Sequence, residues 1–203
     1  MTASWSFNVK LPQISPTPSP TPAPKCIIAT ATYGSELAAE VQFLREFRDE
    51  VVSSTFAGGQ FLRVFNAWYY SFSPRVARFI AEHQAARAFM RTLLYPLIGI
   101  LKLSSKVYSF LSLTPELGIV MAGLVASSLI GIVYFSIPFA AVVRRTEKQL
   151  KVLAVSWPIS LALLLAGEIL VSPIAVMVST ASFVLITLGL SATIVSSCIR
   201  RFL

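Results

Sequence analysis

The sequence predicts an all-α membrane protein. Its parts are a small N-terminal helical module, an amphipathic interfacial helix and a three-helix transmembrane bundle, which becomes four helices if the amphipathic segment crosses. Three observations predict this. Apolar residues make up 55% of the 203-residue chain and charged residues only 13%, against about a quarter charged in soluble domains. From Leu117 to Ile199, apart from Tyr134 and Cys198, the ionisable side chains are Arg144, Arg145, Glu147, Lys148, Lys151 and Glu168. The Lys and Arg that give a net charge of +8 flank the apolar runs and form no block. A nucleic-acid footprint needs clustered cations, so nucleic acid is not an expected partner. The lipid bilayer is.

Residues 1–25 end in ISPTPSPTPAPK, a Pro/Ser/Thr-rich spacer expected to be extended and solvated. They hold no apolar core of about 7–15 residues, so no secretory signal is expected there. Residues 26–88 form the helical module. Cys26–Tyr33 is small and β-branched and reads as a short extended start ended by Gly34. Ser35 reads as an N-cap with Glu36 in the first turn. Leu37, Val41, Leu44, Phe47 and Val51 then recur at helical spacing. Gly58-Gly59 is expected to break the pattern. A second helix carries Leu62, Phe65, Trp68, Tyr69 and Phe72. Ser73-Pro74 reads as the N-cap and first position of a third, with Val76, Phe79 and Ile80.

Residues 89–113 are amphipathic. Leu94, Leu97, Ile98, Leu101 and Tyr108 share one face, and Arg91, Tyr95, Lys102, Lys106 and Ser109 the other. A lysine near the centre of a span costs about 2.5–3.5 kcal/mol. The stripe therefore suits a helix lying in the interface, with a crossing as the alternative.

The bundle, residues 114–203, contains segment A (about 117–143), segment B (about 152–171) and segment C (about 173–199). Each exceeds the ~20 residues that cross a ~30 Å hydrocarbon core. Pro138 and Pro158 are expected to bend A and B. Val171-Ser172-Pro173 is short enough to make B and C an antiparallel hairpin. Arg144, Arg145, Lys148 and Lys151 lie between A and B, and Arg200 and Arg201 follow C, whereas the B–C turn carries no Lys or Arg. The positive-inside rule then places the A–B loop and the C-terminus in the cytoplasm. The module is external if 89–113 lies on the surface, and cytoplasmic if it crosses.

The stretch CIIATATYGSELAAEVQFLREFRDEVV, followed by NAWYYSFSPRVARFIAEH, resembles the segment named the CFI-box, in its archaeal form. Cys26, Ile28, Ala29, Thr30, Ala31, Tyr33, Gly34, Ser35, Val41, Leu44, Arg45, Phe47, Arg48, Asp49, Tyr69, Tyr70, Ser73 and Pro74 fit that pattern, and Ile27 stands where Phe is usual. The resemblance covers residues 26 to about 103. It implies a cell-envelope role and an external location, and little chemistry. Similar segments usually end a longer exported protein, whereas here the segment comes early and the chain runs on into the spans.

Cys26 is a candidate attachment or thiol site, though a small apolar residue starting a packed segment is the simpler explanation. No lipobox precedes it. Glu168 is the candidate intramembrane polar site, since an acid within a span suggests a proton relay, ion contact or interhelical hydrogen bond. Gly123, Ser127 and Gly131 form a small-residue row on A, and Ser182, Gly189 and Thr193 place small residues on C, for packing within the bundle or onto a partner. His83 reads as a surface or capping residue, and Trp157 as a headgroup anchor. HExxH, GxSxG, P-loop and GxGxxG patterns are absent from the sequence. No catalytic, cofactor or metal residues are therefore nominated. The expected partner is a membrane protein or a second copy of the chain.

Overall fold

The computed structural model describes residues 26–111, 113–142 and 146–202. The spacer and the Arg144-Arg145 pair lie outside the described residues, and the Arg200 and Arg201 side chains are likewise not described. Every regular element among the described residues is helical.

The segment expected to be extended is instead α1, Ile27–Tyr33. Its β-branched residues are poor helix formers, but burial overrides that weak preference. Ala29 and Thr32 are buried, and the Thr32 hydroxyl donates to Ile28 O at 2.8 Å. Gly34, at φ 80°, closes the helix in the left-handed region.

The second helix, α2, spans Ala39–Glu46 and widens into a π-helical stretch at Phe47–Val52. Ser35 is not its N-cap; that position falls to Ala38. The Ser35 hydroxyl accepts the Leu37 N–H at 3.0 Å in a local turn, and Glu36 pairs with Arg45 at 3.0 Å. Val41 is the buried apolar anchor, whereas Leu37 is largely exposed.

Helix α3 runs unbroken from Phe56 to Glu82. Gly58-Gly59 therefore does not interrupt it but lies in its first turn, and Ser73-Pro74 lies in its interior. The reason for Gly58 is steric. A Cβ there would collide with the carbonyl oxygen of Val52, so glycine lets the π-helical stretch fold back tightly onto α3. Thr55 is the N-cap, its hydroxyl accepting the Gly58 N–H at 3.1 Å.

His83 separates α3 from α4, Gln84–Phe110, so the boundary expected at residues 88/89 falls inside a helix. The two faces of α4 divide as expected: Ile98 is buried, while Arg91, Tyr95, Lys102, Lys106 and Ser109 are exposed.

Segment A is α5 (Pro115–Ile130), a π-helical stretch (Gly131–Phe135) and α6 (Ser136–Val142). Pro138 lies one turn past the Tyr134 carbonyl that its ring displaces, and the π-stretch marks the adjustment. Segment B is α7, Thr146–Ile169, with Pro158 inside it, and segment C is α8, Pro173–Phe202. Three stretches are long and apolar enough to cross a membrane: Pro115–Phe139, Lys148–Ile169 and Pro173–Ile199.

The hub is α8, on which α7, α5–α6 and α3 all pack. Its small buried residues, among them Ser179, Ala192, Thr193 and Ser196, let neighbours approach closely. Their hydroxyls turn back onto the helix: Thr187 donates to Phe183 O at 2.7 Å and Thr193 to Gly189 O at 2.6 Å. These two hydroxyls are thereby satisfied without water.

Candidate functional site

The residues carrying the CFI-box resemblance are brought together around α1. The Tyr69 hydroxyl of α3 accepts the Ile28 N–H at 3.0 Å, binding the first turn of α1 to a helix 41 positions away. Arg91 of α4 donates to Thr32 O at 3.4 Å and lies 5.6 Å from the Tyr33 ring centroid. Ser73 is fully buried. The small residues of ATATYGS thus serve close packing of a short helix between two long ones.

Cys26 sits at the N-cap of α1, its sulfur 3.9 Å from Arg48 Nη1. Burial pushes the thiol up from its ordinary value, and the charges of Arg48 and Arg45 only partly offset this. At neutral pH it is a protonated thiol, in keeping with a packed residue and not an activated nucleophile. Arg48 also grips Asp49 through two 2.7 Å hydrogen bonds, which hold that carboxyl below its ordinary value.

The second cluster lies between α5 and α7. Both lean on α8 but scarcely on each other. The gap is a cavity of about 300 Å³ walled by Val120, Leu161 and Phe183, with Trp157 and the carboxylates of Glu116 and Glu168 on its lining. Glu168 has one carboxyl oxygen buried without a hydrogen-bond partner. Glu116, in contrast, is engaged: Phe56 N–H donates to its Oε1 at 2.7 Å and Ala57 N–H to its Oε2 at 3.3 Å. A carboxylate in the first turn of α5 thereby caps the orphan donors of α3. Glu116 lies just ahead of the apolar run that opens segment A and carries no motif of its own. The signal was Thr114-Pro115-Glu116, a helix start whose acid projects from the first turn, but its long-range donors carry no mark in the spacing.

Around that cap the module and the spans share one core. Val52, Ala57, Ile119 and Val176 are buried together, with Phe47, Phe61 and Tyr108 packed on them.

The small-residue row divides. Ser127 is buried, and a Cβ on Gly131 would collide with Ser191 and Leu188 of α8, so these two pack inside the bundle. Nothing lies within 4 Å of a Cβ built on Gly123. Trp157 is not free to anchor at headgroups: its indole N–H donates to Thr187 Oγ1 at 3.0 Å, joining α7 to α8. His83 Nδ1 lies 2.9 Å from Phe79 O and the ring stacks on Phe79, so it does cap the end of α3. Lys148 and Lys151 are exposed beyond the α6–α7 loop.

The class that fold and clusters define is an all-α chain with three apolar helices suited to a membrane, bonded to a compact helical module. No family model, curated protein or solved structure matches this chain.

Proposed function

We propose that this protein is a non-catalytic integral component of a cell envelope, an accessory or anchoring subunit. Its apolar helices dock a larger membrane complex, and the CFI-box-like module meets a partner. In this reading the α6–α7 loop and the C-terminus face the cytoplasm, as Lys148 and Lys151 at that end favour.

The observation that carries the reading is the joint between module and spans. Glu116 caps α3, and Val52 and Ala57 pack with Ile119 and Val176. A partner bound to the module is thus held at a fixed position against the membrane helices, as an anchor requires. The resemblance to the CFI-box agrees with an envelope location. The test is purification in mild detergent with mass measurement of the intact particle. A stable complex heavier than the chain plus its detergent is expected, falling apart when the exposed Glu46 and Glu50 are substituted. A monodisperse monomer from native membranes removes the reading.

A second reading is favoured by one feature, the unpartnered Glu168 oxygen on the cavity shared with Glu116. There the protein is a small transporter or channel subunit, and Glu168→Gln abolishes proton- or ion-coupled flux in reconstituted vesicles. Attachment through Cys26 predicts a mass shift on that residue, lost in Cys26→Ser.

A further inference from the structure

We propose that α4 crosses the bilayer as a fourth span, antiparallel to α5–α6, with α3 crossing beside it. The turn at His83 then lies at the same end of the molecule as the α6–α7 loop and the C-terminus. Only the side that this end faces rests on the orientation proposed above.

Helix α4 accompanies the first span along its length. At one end Tyr108 lies against Gly118, where an added Cβ would stand 3.2 Å from the ring. At the other end the Tyr134 hydroxyl donates to Leu93 O at 2.5 Å. The intervening helix on each side is about 15 residues, or ~23 Å of rise. A helix flush against a membrane-crossing helix over that distance occupies the same depth of a ~30 Å core. Helix α3 begins at Glu116, in the first turn of α5, and packs on α8. Its 27 residues, about 40 Å at 1.5 Å each, carry it to the opposite end before His83 turns the chain back.

Several polar groups of α4 are engaged within the chain. Arg91 is taken by Thr32 O and the Tyr33 ring, and the Lys102 ammonium lies 5.5 Å from the centroid of Phe43. Helices α1 and α2 thus engage Arg91 and Lys102 of its polar face, which stays exposed at Tyr95, Lys106 and Ser109. The Ser104 and Ser105 hydroxyls bond back to Ile100 O and Leu101 O at 3.1 and 3.0 Å. Lys102 and Lys106 lie within about two turns of the Phe110 end, close enough to snorkel. Arg75, Arg78, Arg87 and Arg91 all lie within about two turns of His83 and share the basic end with Lys148 and Lys151.

The test uses the full-length chain with one thiol at a time: Gln84→Cys or Glu82→Cys at the α3–α4 turn, Leu113→Cys at the α4–α5 turn, or native Cys198. All other cysteines are changed to Ser. Cells are labelled with an impermeant maleimide before and after permeabilisation, and labelling in denaturant gives the total thiol. Leu113→Cys is expected to react in intact cells, and the turn position and Cys198 only after permeabilisation. A turn thiol that reacts from the same side as Leu113→Cys overturns the crossing of α4, whatever Cys198 does. Leu113→Cys protected, with the turn thiol and Cys198 open, supports the crossing and overturns the orientation instead.

Discussion

At the scale of single residues, Val171 stands out. The α7–α8 turn is a Schellman arrangement in which Ser172 N–H donates to Gly167 O and Val171 N–H to Glu168 O, both at 3.1 Å. That geometry puts Val171 at φ 48°, a conformation glycine adopts freely and a β-branched residue resists. Such strain costs on the order of 1–3 kcal/mol, and glycine returns part of it as unfolded-chain entropy. Val171→Gly is therefore expected to raise stability by about 1 kcal/mol, read as a higher thermal midpoint in detergent; a lower midpoint contradicts the strain. Cys26 carries a pH prediction. Its pKa is raised by burial, so the thiolate fraction at any pH near neutrality falls below that of free cysteine. The sign follows: alkylation of Cys26 in folded protein is slower than that of free cysteine, and its rise with pH is displaced to more alkaline values. Unfolding should abolish the difference. An alkylation profile matching free cysteine in the folded state would show the thiol to be solvated.

At the scale of elements, the informative joint is Glu116 on the N-terminus of α3. Each carboxylate oxygen serves one backbone N–H, from Phe56 and from Ala57. Glutamine keeps one acceptor and loses the charge that favours a helix N-terminus, so Glu116→Gln should cost about 1–2 kcal/mol. The diagnostic readout is hydrogen exchange, which should accelerate at the Phe56 and Ala57 amides more than in the middle of α3. Uniform acceleration would mean the cap is not local. The contact of segment A with α8 makes a second case. A side chain on Gly131 meets Leu188 backbone, which cannot move aside as a flexible side chain would. Gly131→Leu should therefore separate these helices and lower the thermal midpoint, while Gly123→Leu, facing open space, should leave it nearly unchanged. This element scale is also where the sequence was most and least legible. The three apolar runs, the hairpin at Val171-Ser172-Pro173 and the two faces of α4 follow from composition and period, which lipid and burial enforce directly. The starts and stops of α1–α3 do not. Pro74 reads as a helix start, yet it lies inside a helix long enough to pack on α8. Gly58 reads as a breaker, yet its meaning is a close approach to Val52, which is visible only once the chain has folded back.

At the scale of the whole molecule, the clusters around Cys26 and Glu116 are two ends of one construction. The first fastens α1 to α3 and α4; the second fastens α3 to α5. Period and composition showed the module and the spans separately, but not this continuity, because it depends on backbone donors that carry no sequence signature. The expected consequence is shared cooperativity. Ile119 belongs to a membrane-type helix, yet it is buried with Val52 and Ala57 of the module. Ile119→Ala removes apolar volume from that joint at a cost of about 2–5 kcal/mol. If the two parts fold as one unit, the loss is felt by both. Proteolysis of the exposed Gly34–Leu37 turn, which lies far from residue 119 in sequence, should then accelerate together with the fall in thermal midpoint. If the module were an independent domain resting on the spans, the same substitution would lower the midpoint of the bundle and leave cleavage at that turn unchanged. The comparison decides whether a load taken by the module passes to the membrane helices, which an anchoring subunit requires.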